Sequence, residues 1–300
     1  MIPRGRASDL RRRIQAIAAA LLFAIGAQTA FARTILFVGN SFTFGDLSPV
    51  KRFHPERVTD LNKLGFGGVP ALFKTFTTEA GLDYDVSLET SPGKSLSWHY
   101  ANEQTQLKGK WDVVTLQGYS TLDAKSPGDS ADQIQGSHSL AKMLVAENPD
   151  AKVYLVSTWS RADQTYKPTG HWYGKSIYQM AEDLAAANAE AAKGFPELAG
   201  VIPVGLAWNR AMKEGVADSN PFDGADFGKA DLWTWDQYHG SAEGYYLEAL
   251  VIFGKITGVD PVSLGARESA ANDLGISPAF AVALQKIAHE ELAADNDPLR

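Results

Sequence analysis

Short apolar, β-branched runs alternate with longer segments of helical periodicity from residue 34 onward. Three of the short runs are almost continuously apolar, which is typical of strands that are buried on both faces of a parallel sheet. The pattern predicts strands at residues 34–39, 84–89, 111–116, 151–157 and 201–204. It predicts helices at residues 70–80, 97–107, 131–147, 173–193, 206–214, 241–256 and 278–294.

This alternation predicts an α/β fold, in which a five-stranded parallel sheet carries helices on both faces. Ligands of such sheets bind beyond the carboxyl ends of the strands, so we expect the functional residues at that edge. Residues 45–68 separate the first strand from its crossover helix, and this connection is far longer than the usual length of about 2–6 residues. We interpret this insertion as a segment that borders the cleft.

Residues 1–32 have the composition of a signal peptide. A basic region at residues 4–13 precedes an uncharged apolar stretch at residues 14–27, and Ala30-Phe31-Ala32 fits a small-x-small cleavage site. The alternative is a transmembrane anchor, but the stretch is shorter than the ~20 apolar residues that a span needs. We therefore expect an exported protein, periplasmic or secreted and without stable membrane insertion. Residues 33–300 are predicted to form a single domain.

The composition removes several kinds of chemistry. The 300 residues include no cysteine, so disulfides, cysteine-ligated metal centres and thiol nucleophiles are excluded. A formal net charge of −7 argues against binding to nucleic acid, because that partner needs a basic patch. The histidines show no metal-binding spacing and no G-x-G-x-x-G follows the first strand, so we expect no metal and no cofactor.

Two motifs at opposite ends of the chain carry candidate chemistry. Ser41 follows the first predicted strand within the segment Gly39-Asn40-Ser41, and Asp236 and His239 stand three residues apart before a late helix. A carboxylate can orient an imidazole that takes the proton of a serine hydroxyl, as a nucleophilic triad requires. Taken separately, Ser41 could be only a helix N-cap, and Asp236 and His239 could form only a loop salt bridge.

In this order on this fold, the G-[DN]-S and D-x-x-H blocks resemble those of the SGNH (GDSL-like) hydrolase superfamily. The resemblance implies that Ser41 is the nucleophile, His239 the general base and Asp236 its orienting partner. It also implies an oxyanion hole formed by the N–H groups of Ser41 and Gly93 and by the side-chain amide of Gln117. Gln117 stands where the family usually has asparagine.

Asn40 is a second departure from the commoner pattern of the family, which has aspartate at that position. We interpret it as a neutral loop cap rather than as a catalytic residue.

The tryptophans favour a carbohydrate substrate. Five of the seven fall after predicted strands or in the histidine-bearing loop, where aromatic faces could stack on sugar rings. Among these five, Trp98, Trp159, Trp172, Trp233 and Trp235, we predict that Trp98, Trp159 and Trp235 bind substrate. The alternative for each is that the indole only covers a loop edge.

These observations predict an exported serine esterase that removes an acyl group, such as acetyl, from a carbohydrate or a related small molecule. Two alternatives stay open. The first is a lipase or thioesterase with the same triad and a more apolar acyl pocket. The second is a catalytically silent carbohydrate-binding protein on the same scaffold.

Overall fold

Six parallel strands form the central sheet of the computed structural model, which describes residues 32–224 and 226–295. The order of the strands across the sheet is β2-β3-β1-β4-β5-β6. Their bounds are β1 Arg33–Gly39, β2 Thr59–Asp60, β3 Tyr84–Thr90, β4 Val113–Gln117, β5 Lys152–Val156 and β6 Gly200–Ile202. The predicted parallel α/β sheet is confirmed, whereas the predicted count of five strands is wrong. The additional strand, β2, has only two residues, so it leaves no periodic pattern in the sequence.

The central strand β1 is buried on both faces. Ile35 and Phe37 contribute to one hydrophobic cluster, and Leu36 and Val38 contribute to another on the opposite face. This division follows from the two-residue period of side chains along a strand. It also explains why the run of apolar residues in β1 is continuous instead of alternating.

Helices cover both faces of the sheet, as predicted. Helices α2, α8, α9 and α11 pack on the side of Phe37, and α3 and α5 pack on the side of Leu36. The helices are α1 Ser41–Phe44, α2 Gly68–Glu79, α3 Leu96–Asn102, α4 Gln104–Leu107, α5 Ala131–Glu147, α6 Ala162–Tyr166, α7 Ile177–Ala192, α8 Val204–Lys213, α9 Ala242–Thr257, α10 Ser269–Asp273 and α11 Pro278–Asp295. Short 3₁₀ turns lie at Pro49–Arg52, Pro55–Arg57 and Pro261–Leu264.

The helix boundaries agree with the prediction except in two places. The predicted helix at 97–107 is two helices, α3 and α4, that meet at Glu103. The predicted helix at 173–193 begins only at Ile177, because the Ser176 hydroxyl accepts a hydrogen bond from the Tyr178 N–H and caps the helix there.

The predicted signal peptide lies outside the described residues, except for Ala32. Within residues 32–224 and 226–295, no helix has both the length and the hydropathy to cross a membrane.

The insertion at residues 45–68 is packed onto the domain as an extension of the sheet edge. It contains β2, which pairs with β3 at Ser87 and Leu88. The Phe66 ring is buried and stacks on Phe44 with centroids 4.6 Å apart. Arg52 donates to backbone carbonyls within the insertion itself. The insertion therefore contributes to folding, and these contacts do not test the prediction that it borders the cleft.

Candidate active site

Ser41 lies at the carboxyl edge of the sheet, where β1 passes directly into α1. The Asn40 side chain caps this helix by accepting a hydrogen bond from the Phe42 N–H at 3.2 Å. As the first residue of α1, Ser41 has a backbone N–H with no preceding turn to bond to. The sequence thus places both a hydroxyl and a free helix N–H at the position that the fold reserves for ligands.

A tight loop presents Asp236 and His239 together. The Thr234 N–H donates to the His239 carbonyl at 2.8 Å and closes the loop, while Gln237 adopts a left-handed conformation with φ of 55°. The Asp236 Oδ2 atom lies 2.7 Å from His239 Nδ1. The three-residue spacing therefore brings the two side chains into direct contact, as the sequence motif predicts.

Asp236 is held as a carboxylate. Burial alone would raise its pKa, but hydrogen bonds from the His239 ring, the Thr234 hydroxyl and the backbone N–H groups of His239 and Tyr238 lower the pKa well below its ordinary value. All of these groups donate to carboxylate oxygens, and donation to the charged form favours ionisation. The carboxylate therefore remains charged across the physiological range and fixes the orientation of the imidazole.

The other ring nitrogen of His239 is available for proton transfer. Nε2 is buried and has no hydrogen-bond partner among residues 32–224 and 226–295, Ser41 included. When Nδ1–H of a neutral imidazole donates to a carboxylate, Nε2 carries the lone pair and acts as an acceptor. Nε2 can therefore accept a proton, and no group among the described residues already donates a hydrogen bond to it.

Three contacts connect the segment that carries Ser41 to the loop that carries His239 and to the helix that follows it. The Phe42 ring packs against the His239 ring with centroids 5.7 Å apart and against Tyr238 at 5.4 Å. The hydroxyl of Tyr245, in the helix that follows His239, donates to the Ser41 carbonyl at 3.2 Å. The structure thus brings the segment of Ser41 against the loop in which Asp236 and His239 are in contact.

A cavity of about 260 Å³ opens beside Gly93. Gly93 has a φ of 64°, and a methyl group in place of its hydrogen would meet no atom within 4 Å, so this position faces open space. Lys94, Trp98 and Tyr119 line the same cavity, and the Lys94 ammonium lies 5.1 Å from the centroid of the Trp98 ring. Burial raises the pKa of Tyr119, which keeps its hydroxyl protonated as a hydrogen-bond donor.

Gln117 requires a correction. Its side chain is buried at the end of β4, where Oε1 accepts hydrogen bonds from the Asn40 N–H at 3.0 Å and from the Thr43 hydroxyl at 3.1 Å. Its Nε2 donates to the Gly118 carbonyl. The carboxamide is therefore turned inward and joins β4 to the turn that carries Ser41. Its predicted contact with an oxyanion is not supported, which leaves the N–H groups of Ser41 and Gly93 as candidate donors.

The predicted role of Trp159 is also wrong. Trp159 is fully buried, stacked between Phe42 at 4.3 Å and Trp208 at 4.4 Å, and its indole N–H donates to the Tyr238 carbonyl. It packs against the segment of Ser41 and the loop of His239, and no part of it is exposed for contact with a substrate. Trp172 and Trp233 are buried as well.

The other two predicted substrate contacts are accessible. Trp98 lines the cavity beside Gly93, and Trp235 is 76% exposed next to Asp236. Their contact with substrate stays a prediction.

Sequence reasoning missed the long-range links that shape the site. Asn40, Tyr245 and Arg161 each connect segments that are distant in the chain. The Arg161 guanidinium lies 3.6 Å above the centroid of the Tyr238 ring and donates to the Ser120 hydroxyl at 3.2 Å. These links are tertiary, and no local motif marks them. Within the described part of the chain, no group of three or more His, Cys, Asp or Glu side chains could hold a metal ion.

This chain, with Ser41 after β1 and the Asp236–His239 loop before α9, has a fold that is shared by solved structures of low sequence identity. It is similar to a DUF4886 family protein from Bacteroides uniformis, with a TM-score of 0.61 and 17% identity over 89% of this chain and 96% of that one. It is also similar to a putative GDSL-like lipase from Parabacteroides merdae, with a TM-score of 0.54 and 18% identity over 75% of this chain and 95% of that one. No family model and no curated protein matches the sequence.

Proposed function

We propose that the protein is an exported serine esterase of SGNH type, with a carbohydrate ester as its substrate. The observation that carries the proposal is the 2.7 Å contact between Asp236 and His239, in a loop that packs against the segment of Ser41. Asp236 orients the imidazole with Nδ1–H toward the carboxylate, so Nε2 is the nitrogen that can accept the serine proton. The ring of Phe42, the residue after Ser41, packs against the same imidazole with centroids 5.7 Å apart.

In the proposed reaction, Ser41 Oγ attacks the acyl carbon while its proton passes to His239 Nε2. The N–H groups of Ser41 and Gly93 stabilise the negative charge of the tetrahedral intermediate. Its collapse breaks the ester bond, and His239 returns the proton to the leaving alcohol. Water, deprotonated by the same nitrogen, then hydrolyses the acyl-serine and restores Ser41.

The cavity beside Gly93 supports a polar, ring-shaped alcohol. Its lining combines the face of Trp98 with the Tyr119 hydroxyl and the Lys94 ammonium, which suits a hydroxyl-rich ring better than an acyl chain. This lining disfavours the lipase and thioesterase alternative. A volume of about 260 Å³ is of the size of a single sugar residue, which would form the alcohol part of the ester.

The function is tested with p-nitrophenyl esters of increasing chain length, together with acetylated sugars and acetylated xylan. We expect turnover of acetyl esters to exceed that of longer chains. Ser41→Ala should lower kcat on the order of 10⁴-fold or more while it leaves the melting temperature unchanged. A fluorophosphonate probe should label the wild type and not the Ser41→Ala variant. Binding of acetylated sugars with no turnover and no labelling would favour the silent carbohydrate-binding protein.

Export is proposed from the sequence of residues 1–32. We expect the protein in the periplasmic or extracellular fraction, with a mature amino terminus at Arg33. Mass spectrometry of the protein isolated from its native host tests this, and a chain that retains Met1 in the membrane fraction would argue for an anchor.

A further inference from the structure

Asn40 connects the three loops that surround the candidate nucleophile. Its Nδ2 donates to the Lys94 carbonyl at 3.1 Å and to the Gly118 carbonyl at 3.0 Å, while its Oδ1 accepts from the Phe42 N–H. Lys94 follows β3 and Gly118 follows β4, and these strands are the two neighbours of β1. One buried carboxamide therefore spans the carboxyl ends of three adjacent strands.

The neighbours of Asn40 fix the orientation of its amide. With oxygen and nitrogen exchanged, an oxygen would face two carbonyl oxygens and an NH₂ group would face the Phe42 N–H, so all three hydrogen bonds would be lost. The backbone N–H of Asn40 is itself held by Gln117 Oε1 at 3.0 Å. The side chain is 2% exposed, so water cannot replace these partners.

The segment that carries Gly93 is held at both ends by this turn. The Ser91 N–H donates to the Gly39 carbonyl at 3.0 Å, and the Lys94 carbonyl accepts from Asn40 Nδ2. Gly93 lies between these two fixed points in a left-handed conformation. The direction of its N–H therefore depends on where the Lys94 carbonyl is held.

We infer that Asn40 is a positioning residue for the oxyanion hole, acting through Lys94 to direct the Gly93 N–H toward the acyl oxygen. The inference rests on the proposed function, because it assigns Gly93 a role in the ester hydrolysis that Ser41 begins. Aspartate at this position would have no hydrogens to donate and would place a carboxylate against two carbonyl oxygens. The requirement for two donors thus explains why this chain has asparagine at residue 40.

The test compares Asn40→Asp and Asn40→Ala with the wild type on a p-nitrophenyl acetate substrate. We expect kcat to fall by about 10- to 100-fold with little change in KM, somewhat less than the ~10²- to 10³-fold loss for removal of an oxyanion donor. A boronic acid that forms a tetrahedral adduct with Ser41 should lose affinity by a similar factor. Substitution of a residue that only supports folding would not lower kcat and the affinity for this transition-state analogue by the same factor.

Asn209→Asp is the matched control. Asn209 is a buried asparagine in α8 whose Nδ2 donates to the Tyr178 carbonyl at 2.9 Å, so the substitution also buries a carboxylate against a carbonyl. We expect it to lower the melting temperature and leave kcat per folded molecule unchanged. Circular dichroism establishes the folded fraction of each variant. Asn40→Ala removes the hydrogen bonds of the Asn40 side chain without burying a charge, so its kcat reports the loss of these bonds alone.

The outcomes separate this inference from the proposed function. If the wild type hydrolyses the ester and folded Asn40→Ala retains its kcat, or loses kcat without losing affinity for the boronic acid, Asn40 does not position the oxyanion hole. If the wild type neither hydrolyses an ester nor reacts with a fluorophosphonate, the proposed function fails and this inference fails with it.

Discussion

The hydroxyl of Tyr245 lies 3.2 Å from the backbone carbonyl oxygen of Ser41, to which it donates a hydrogen bond. The same ring abuts Gly240, the residue after His239, where a methyl group would lie 3.2 Å from the ring. Tyr245 therefore contacts the backbone at Ser41 and at the residue that follows His239, and the proposed proton transfer takes place between Ser41 and His239. A fully buried side chain in α9 thus links the segment of Ser41 to the loop of His239.

We predict that Tyr245→Phe lowers kcat several-fold while KM stays close to that of the wild type. The ring is kept, so the variant loses only the hydroxyl's hydrogen bonds to the carbonyls of Ser41 at 3.2 Å and Asp46 at 3.4 Å, with a stability cost of about 1 kcal/mol. Tyr246→Phe is the control, because Tyr246 is equally buried in the same helix and its hydroxyl accepts from Gln285 instead. If both variants lose similar stability but only Tyr245→Phe loses kcat, Tyr245 positions the segment of Ser41. Equal kcat in the two variants would contradict this role.

Asp236→Asn should leave the fold intact and reduce kcat on the order of 10³- to 10⁴-fold. The variant keeps the shape of the side chain, but an amide NH₂ group at this position no longer accepts a hydrogen bond from His239 Nδ1–H. The imidazole therefore loses the tautomer in which Nε2 can accept a proton. Stability should also fall, because the three donors to Oδ1 would face a neutral amide oxygen instead of a charged carboxylate, and hydrogen bonds to a charged acceptor are stronger. Steady-state kinetics and thermal melts on the same samples measure both effects, and near-native kcat would reduce the Asp236–His239 contact to a structural salt bridge.

Trp98 and Trp159 should respond to substitution in opposite ways. Trp98→Ala is expected to raise KM for an acetylated sugar more than for p-nitrophenyl acetate, because it removes the face of the cavity beside Gly93. Trp159→Ala should destabilise the protein by about 3–5 kcal/mol, since it empties a stack between Phe42 and Trp208. Urea titrations and kinetics on the two substrates distinguish a binding residue from a core residue, and an unchanged KM ratio in Trp98→Ala would exclude the sugar contact.

The main strands and the positions of Ser41, Asp236 and His239 could be predicted because their signals are local. A continuous apolar run indicates a buried strand, and a spacing of three residues within one loop indicates that the two side chains are in contact. The pairing of β2 with β3 could not be predicted, because two residues give no period, and the partner at Ser87 lies far along the chain.

The errors at Trp159 and Gln117 have a common cause. Both residues follow or end a strand at the correct edge of the sheet, so sequence position alone places them near the site. Whether a side chain turns toward the cleft or beneath it depends on partners from other segments, here Trp208 for Trp159 and Asn40 for Gln117. The sequence predicts that Asn40 is a loop cap, and the hydrogen bond from Phe42 confirms this. Its two bonds to the carbonyls of Lys94 and Gly118 could not be predicted, because the fold brings these residues to Asn40 from other segments.

Glu248 provides a prediction about pH and stability. This residue of α9 is fully buried, and its Oε2 has no hydrogen-bond partner among the described residues. Burial raises its pKa well above the ordinary value, so the folded protein keeps the carboxyl group neutral. In the unfolded chain the group ionises above about pH 4.3. Its contribution to stability is therefore fully present below that pH and is lost as the pH rises toward the pKa of the folded state.

Glu248→Gln has no proton to lose, so it should be more stable than the wild type at neutral pH. The difference in the free energy of unfolding should vanish near pH 4 and grow by up to about 1.4 kcal/mol per pH unit above it. Urea unfolding between pH 4 and 8 measures this dependence. Glu147→Gln, at an exposed position near the end of α5, is the control and should shift stability by less than about 0.5 kcal/mol throughout. A constant difference between Glu248→Gln and the wild type across this range would mean that Glu248 is ionised in the folded core.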